Sequence, residues 1–265
     1  MANIDLSETL KKVKEIAFEV GTLQLKNLGR KNLGINTKST GIDLVTEIDK
    51  QSEARIVQFI REQYPEHAIL AEESGLMQTG SDYTWVVDPL DGTTNYAQGL
   101  PIFAVSIALQ CTGETVLGVV YAPAVGQMFT AVRQQGAYLN GERLEVSGKT
   151  ELIESVLATG FPYDIAEHEA NNLTYFNEII LKARAVRRMG AAAYDLACVA
   201  AGKFDGYWEL NLSTWDAAAG ILLVQEAGGK VIHFREDRKV SIIAGNEVIC
   251  QKIWDEIRKA DKNGN

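Results

Sequence analysis

Cysteine and histidine are scarce in this 265-residue chain, at three residues each. Cys111, Cys198 and Cys250 lie far apart with no C-x-x-C spacing, which excludes a disulfide framework and a zinc knuckle. They read as small buried hydrophobes. His67, His168 and His233 are too scattered for a zinc site. Basic charge is also short: 26 Lys and Arg face 35 Asp and Glu, for a net charge of -9 and a pI near 5.0. Nucleic acid and polybasic membrane binding both need clustered positive charge, so neither partner is expected. Apolar runs such as 116–120 are far short of a membrane span. MANIDLSETLKKVKEIAF has no apolar signal region, so a soluble, cytoplasmic protein is expected. No G-x-S-x-G elbow is present, and Gly148-Lys149-Thr150 lacks the upstream glycine of a phosphate-binding loop. So acidic a chain repels an anionic substrate unless something local reverses the sign.

What is present suits a folded protein with a substantial core. The chain is 46% apolar and 23% charged. Leu6, Leu10, Val13, Ile16, Val20 and Leu23 recur at helical spacing and predict a helix over 5–28, with Asp5 as its cap and Glu8 at N3. A second helix is expected over about 46–64, stopped by Pro65. The strands AILAE, TWVVD, AVSIALQ, TVLGVVYA and QMFTAV then follow one another with short turns. Asn140-Gly141 marks a hairpin, so the first half predicts a mostly antiparallel sheet. The second half alternates: a helix over 167–182, the strand AVRRM, a small-residue helix AAAYDLACVAAG, the strand DGYWEL, the helix TWDAAAGILLVQEAG, the strand KVIHF and a last helix EVICQKIWDEIRKA. Ser147-Gly148-Lys149-Thr150 marks a junction between subdomains 1–147 and 148–265, and the tail DKNGN is expected to fray.

Four carboxylate elements carry the chemistry. Glu72-Glu73 ends a buried run, where adjacent carboxylates repel unless a cation or donors intervene. In WVVDPLDGTTN, Pro89 extends Asp88, and Gly92 permits a turn that brings Asp88, Asp91 and the Leu90 carbonyl together. Three such oxygens suit a hard cation such as Mg²⁺, and the amides of Gly92, Thr93 and Thr94 at a helical turn suit an anion. Asp216 lies in the first turn of the helix capped by Ser213 or Thr214, where the helix dipole alone also favours Asp. Asp43 and Asp49 flank IDLVTEID, which taken alone is an ordinary capping region.

Together these elements resemble the inositol monophosphatase family of metal-dependent phosphatases. The resemblance rests on Glu72-Glu73, on Trp85-Val-Val-Asp88-Pro-Leu-Asp91-Gly-Thr93, on Trp215-Asp216-Ala-Ala-Ala-Gly220 through Glu226-Ala-Gly-Gly229, and on Asp43-Leu-Val-Thr46-Glu-Ile-Asp49. Gln98 departs from the family's usual histidine, basic or small polar residue, and Phe161-Pro162-Tyr163 resembles the bacterial branch. The resemblance implies an α/β/α/β/α sandwich of mixed α/β and α+β character. It implies a homodimer sensitive to lithium, cleaving a phosphate monoester with two or three Mg²⁺ ions. Glu72, Asp88, Leu90 through its carbonyl, Asp91 and Asp216 would hold metal, with Glu73 holding a further ion. Asp43 and Thr93 would form a hydrogen-bonded pair that activates water beside Glu72. Gly92 and Thr93 would hold phosphate, Glu209 would bind a substrate hydroxyl, and Ala192 would line the pocket, beside Asp216. The expected partner is a small phosphorylated polyol or sugar, first of all myo-inositol 1-phosphate. Fructose 1,6-bisphosphate, 3′-phosphoadenosine 5′-phosphate, NADP and histidinol phosphate are the alternatives within this chemistry. Arg187-Arg188 could meet a second phosphate, although a surface strand end accounts for the pair as well. A regulatory binding protein that keeps the fold is the alternative of another class. The i, i+3 spacing of Asp88 and Asp91 differs from the i, i+2 pair of aspartyl-phosphate enzymes, so direct attack by water is expected.

Overall fold

The first helix, α1 (Leu6–Asn27), begins at Asp5, whose carboxylate accepts the Ser7 and Glu8 amides. Its stripe of Val13, Ile16, Ala17 and Val20 is buried, as the spacing predicts. The computed structural model describes residues 4–30, 32–38 and 41–263. A hairpin of β1 (Asn36–Thr37) and β2 (Leu44–Val45) leads into α2 (Glu47–Gln63), which Thr46 caps. The large sheet comprises β3 (Ala68–Ala71), β4 (Gly75–Met77), β5 (Tyr83–Asp91), β6 (Ala104–Cys111), β7 (Glu114–Ala122), β8 (Gln127–Val132), β9 (Gly136–Leu139) and β10 (Glu142–Arg143). Its order is β10-β9-β8-β7-β6-β5-β3-β4, and only β3 and β5 pair in parallel. Asn140 and Gly141 both have positive φ, as a tight hairpin turn between β9 and β10 requires. A single turn, α3 (Thr93–Ala97), separates β5 from β6.

The second half supplies β11 (Val156–Thr159), α4 (Leu173–Ile180), β12 (Ala185–Arg187), α5 (Ala192–Ala200), β13 (Gly206–Leu212), α6 (Thr214–Glu226), β14 (Lys230–His233), β15 (Val240–Gly245) and α7 (Glu247–Asn263). Its five strands run in the order β12-β11-β13-β15-β14. Side-chain alternation sets the layers. Trp85 and Val87 of β5 pack on Val13 and Ile56 of α1 and α2, while Val86 faces Leu196 of α5 and Leu222 of α6. Tyr207 and Ala244 of the small sheet complete that central core, and Trp208 and Ile243 turn outward onto Ile179 of α4 and Ile253 of α7. The result is the expected α/β/α/β/α sandwich. Close approach in the middle layer depends on small residues: a Cβ on Gly220 would lie 2.6 Å from Leu196 Cβ. Trp85 is fully buried, and truncating it to alanine would cost about 3–5 kcal/mol.

Three expectations change. The helix expected over 167–182 is confined to Leu173–Ile180. Asn172, at φ 76, starts it with its side chain turned inward: Nδ2 donates to the Thr159 hydroxyl and the Gly160 carbonyl, and Oδ1 accepts from Trp208 Nε1. The strand expected in AVRRM ends at Arg187. The last helix continues to Asn263, through part of the tail expected to fray, while residues 264–265 lie outside the described residues. Among the described residues no helix is long and apolar enough to cross a membrane.

Candidate active site

Residues three apart on a regular strand point to opposite faces. Asp88 and Asp91 escape this rule through a bulge in β5: Asp88 pairs with Ser106 and Asp91 with Ala104, so three steps on β5 match two on β6. Pro89, which has no amide to give to the ladder, sits in the bulge. Both carboxylates therefore reach the face covered by α5 and α6. Asp91 accepts the Ala192 and Tyr194 amides at 3.0 and 3.2 Å, and Asp88 accepts the Leu90 amide at 2.9 Å. Glu72 extends β3 beside Asp88, its amide bonded to Val87 O at 3.1 Å, and its charge bears on the Asp88 carboxylate. Gly92 follows at φ +90, where a Cβ would come within 2.9 Å of the Ile102 carbonyl. Only glycine suits that backbone.

Two helix starts complete the basin with the same device. In Thr46-Glu-Ile-Asp49, Asp49 Oδ2 accepts the Thr46 amide at 2.9 Å. In Ser213-Thr-Trp-Asp216, Asp216 Oδ2 accepts the Ser213 amide at 2.7 Å. Each is a capping box with aspartate at N3, which leaves one oxygen for the site. The free oxygen of Asp49 receives the Thr93 hydroxyl at 2.8 Å, and Leu90 O lies 3.0 Å from the same hydroxyl. This corrects the expected Asp43–Thr93 pair. Asp43 precedes β2, where its backbone carbonyl accepts the Lys38 amide at 2.8 Å, while the first turn of α2 is the element that reaches Thr93.

Burial and mutual repulsion dominate the electrostatics. Burial, then the charges of Glu72, Asp91 and Asp216, holds Asp88 well above the carboxylate range. Burial, then Glu72 and Asp91, does the same for Asp216. Asp91 and Glu73 are each pushed up to about 7, first by burial. The Lys38 ammonium lies between Glu72 and Glu73, at 2.8 and 2.5 Å. Burial alone would lower its pKa, and the two carboxylates more than offset this and raise it. Among the described residues no group of three acidic, histidine or cysteine side chains is already gathered as a metal cage. Each carboxylate is turned instead to a donor of the protein. The donor set itself, buried carboxylate oxygens beside a backbone carbonyl and short of counter-charge, fits a hard cation and fits little else.

A second acidic group lies beyond α5. Glu209 of β13 accepts the Tyr207 hydroxyl and packs so closely on Gly160 that any Cβ there would overlap its carboxylate. Burial raises Glu209 to about 7, although Tyr207 and the charge of Arg188 pull it down. Asp195 of α5 is buried and also raised well above its usual range by burial, then by Glu209 and Asp91. Its Oδ1 has no hydrogen-bond partner. The amide of Ala192 is taken by Asp91, so this residue ties α5 to β5. Arg187 and Arg188 are both exposed, and Gln98 is an exposed helix end.

Sequence reasoning named Asp49 without giving it a role at the site, and Lys38, Glu53 and Asp195 drew no notice there. The signal for Asp49 was present in the repeated capping box. Glu53, one helical turn further, had a weaker one, a second acid on the same face. Nothing local distinguishes Lys38 from other loop lysines.

Known proteins share this arrangement of elements. The family model described as "Inositol monophosphatase family" matches residues 5–261. A protein of Pasteurella multocida named "Nus factor SuhB" is 49% identical over 77% of this chain and 77% of its own length. A Mesorhizobium japonicum protein named "Inositol-1-monophosphatase" is 38% identical over 98% and 96%. The solved structure of an Anabaena inositol monophosphatase superposes with a TM-score of 0.87 at 38% identity, covering 97% of both chains. A match across nearly the whole chain, with the bulged β5 aspartates and the Asp216 cap within it, leaves one assignment: the chain belongs to the inositol monophosphatase family.

Proposed function

We propose that this protein is a Mg²⁺-dependent phosphatase that hydrolyses a phosphate monoester, first among them myo-inositol 1-phosphate, to inositol and phosphate. The observation that carries the reading is the Asp49–Thr93 hydrogen bond beside four carboxylates, those of Asp88 and Asp91 buried and those of Glu72 and Asp216 half-buried. Those four, with Glu73 and the Leu90 carbonyl, would hold two or three ions. When bound, Mg²⁺ lowers the pKa of the attacking water and neutralises phosphate charge. Thr93 donates to Asp49, so its own lone pairs face outward to take a proton from that water, and Asp49 takes the hydroxyl proton in turn. Water attacks phosphorus and the ester P–O bond breaks without a phosphoenzyme; the leaving alkoxide takes a proton from solvent, and Asp49 returns to solvent the proton it took, so the net reaction is ester plus water to alcohol plus phosphate. The amides of Gly92 and Thr93 orient phosphate, Ala192 lines the pocket, and Glu209 positions a hydroxyl of the polyol. A cytoplasmic homodimer inhibited by lithium belongs to the same reading. Sedimentation as a monomer would remove the dimer from it.

The test is hydrolysis by the purified protein with Mg²⁺ across inositol 1-phosphate, fructose 1,6-bisphosphate, 3′-phosphoadenosine 5′-phosphate, NADP and histidinol phosphate. Preference for inositol phosphate supports the narrow claim, and a flat or different profile sinks it. A second reading, a non-catalytic regulatory binding role, draws on the relatives named "Nus factor SuhB". Asp88→Asn separates the two: a cellular phenotype that survives loss of hydrolysis favours the binding role.

A further inference from the structure

Helix α2 carries a second buried carboxylate that the chemistry above leaves unused. Glu53 lies one turn after Asp49 on the same face and is 5% exposed. Its Oε2 accepts the Glu73 amide at 2.7 Å. That bond joins α2 to the turn where β3 ends and the Glu72-Glu73 pair begins. Asp49 meanwhile joins the same helix to Thr93, at the start of α3. One rigid helix thus grips both sides of the basin through carboxylates one turn apart.

We infer that Glu53 is a positioning residue: through the Glu73 amide it fixes the turn that aims Glu72 and Glu73 at the bound cations. A charge-assisted bond to a backbone amide is short and directional. The turn needs such a brace. Its outer side borders an open groove of about 700 Å³ lined by Glu53, Val57, Arg61, Glu73 and Met77. The inference rests on the proposal that these carboxylates hold Mg²⁺.

Glu53→Met keeps the length of the side chain and removes the acceptor, while Glu53→Gln restores an oxygen that can take the same amide. Mg²⁺ binding by calorimetry is expected to weaken about tenfold or more in Glu53→Met and to be largely rescued in Glu53→Gln, as for other partners that orient a ligand. The Mg²⁺ concentration for half-maximal hydrolysis should rise in parallel, with kcat at saturating Mg²⁺ within about threefold of the parent. In the metal-free protein the Glu73 amide should exchange faster with solvent in Glu53→Met alone. Unchanged Mg²⁺ affinity and Glu73 exchange in Glu53→Met would overturn the inference. So would equal losses in both variants, or a kcat loss that Mg²⁺ cannot restore. A parent protein that binds no Mg²⁺ would defeat the phosphatase reading itself, and this inference with it. A parent that binds Mg²⁺ while Glu53→Met binds it equally well defeats only the inference.

Discussion

The starts of α2 and α6 use the same four-residue device and reach different chemical ends. In each, an aspartate at N3 gives one oxygen to the amide of the capping residue. That local bond orients the carboxylate before any tertiary contact forms. What differs is the surroundings of the second oxygen. At Asp49 it meets a hydroxyl, the Thr93 side chain at 2.8 Å. At Asp216 it meets charge, with Glu72 and Asp91 both raising its pKa. A cap facing a hydroxyl can pass a proton; a cap facing carboxylates needs a cation. The comparison makes a general point: an identical local motif acquires its role from the neighbour that topology brings to it.

Neutralising each cap separates the two carboxylates. Asn retains an oxygen for the capping amide, so both helices should keep their stability. Asp49→Asn is expected to lower kcat by about 10²–10⁴-fold with Mg²⁺ binding retained, because only proton transfer is lost. Asp216→Asn is expected to weaken Mg²⁺ binding by about 10–100-fold. It should also lose about 1.3–2.3 kcal/mol of the roughly 2.7 kcal/mol by which Mg²⁺ at a hundredfold excess over the parent's Kd stabilises the parent. Equal loss of metal affinity in the two variants would show that the caps are not functionally distinct.

Glu209 extends the comparison to an acid outside the group of carboxylates proposed to hold cations. Burial raises its pKa from 4.5 to about 7, despite Tyr207 and Arg188. A raised folded-state value means its contribution is favourable below the unfolded value and is lost as pH rises through about 7. The parent should therefore lose stability between pH 4.5 and 8 relative to Glu209→Gln, by at most about 3 kcal/mol. Melting curves across that window check the sign. A parent that loses no stability relative to Glu209→Gln between pH 4.5 and 8 would refute it. The same variant should raise KM for a polyol phosphate by about tenfold while Mg²⁺ affinity holds, since one substrate hydrogen bond is weakened.

How much of this was legible follows from range. The β5 aspartates, Glu72-Glu73 and Asp216 announce themselves because each is an acid at the end of an apolar run, a conflict visible within a few residues. The layered fold was legible for the same reason, since periodicity is local. The Asp49–Thr93 pair was not, because its partners stand 44 residues apart. Both Asp43 and Asp49 satisfy local rules, and only the path of α2 past α3 selects between them. Asn172 illustrates the converse. Its neighbours favour a helix over 167–182, but Trp208, 36 residues on, recruits its side chain and the helix starts late.

Lys38 gives the smallest effect and the finest test of what the basin needs. Its ammonium bridges Glu72 and Glu73 from the β1–β2 hairpin, occupying two oxygens that an incoming cation must win. Replacing it with methionine keeps the apolar stem and removes the charge. With two such ion pairs worth about 0.2–0.5 kcal/mol each, Mg²⁺ binding should tighten only about two- to fivefold. The change should shrink at high salt, where the ammonium already competes less well. Calorimetry at two salt concentrations reads both expectations. Weaker Mg²⁺ binding in Lys38→Met would instead mean that the lysine helps to assemble the ligands, and that Glu72 needs a cation of the protein's own to hold it in place before a metal arrives.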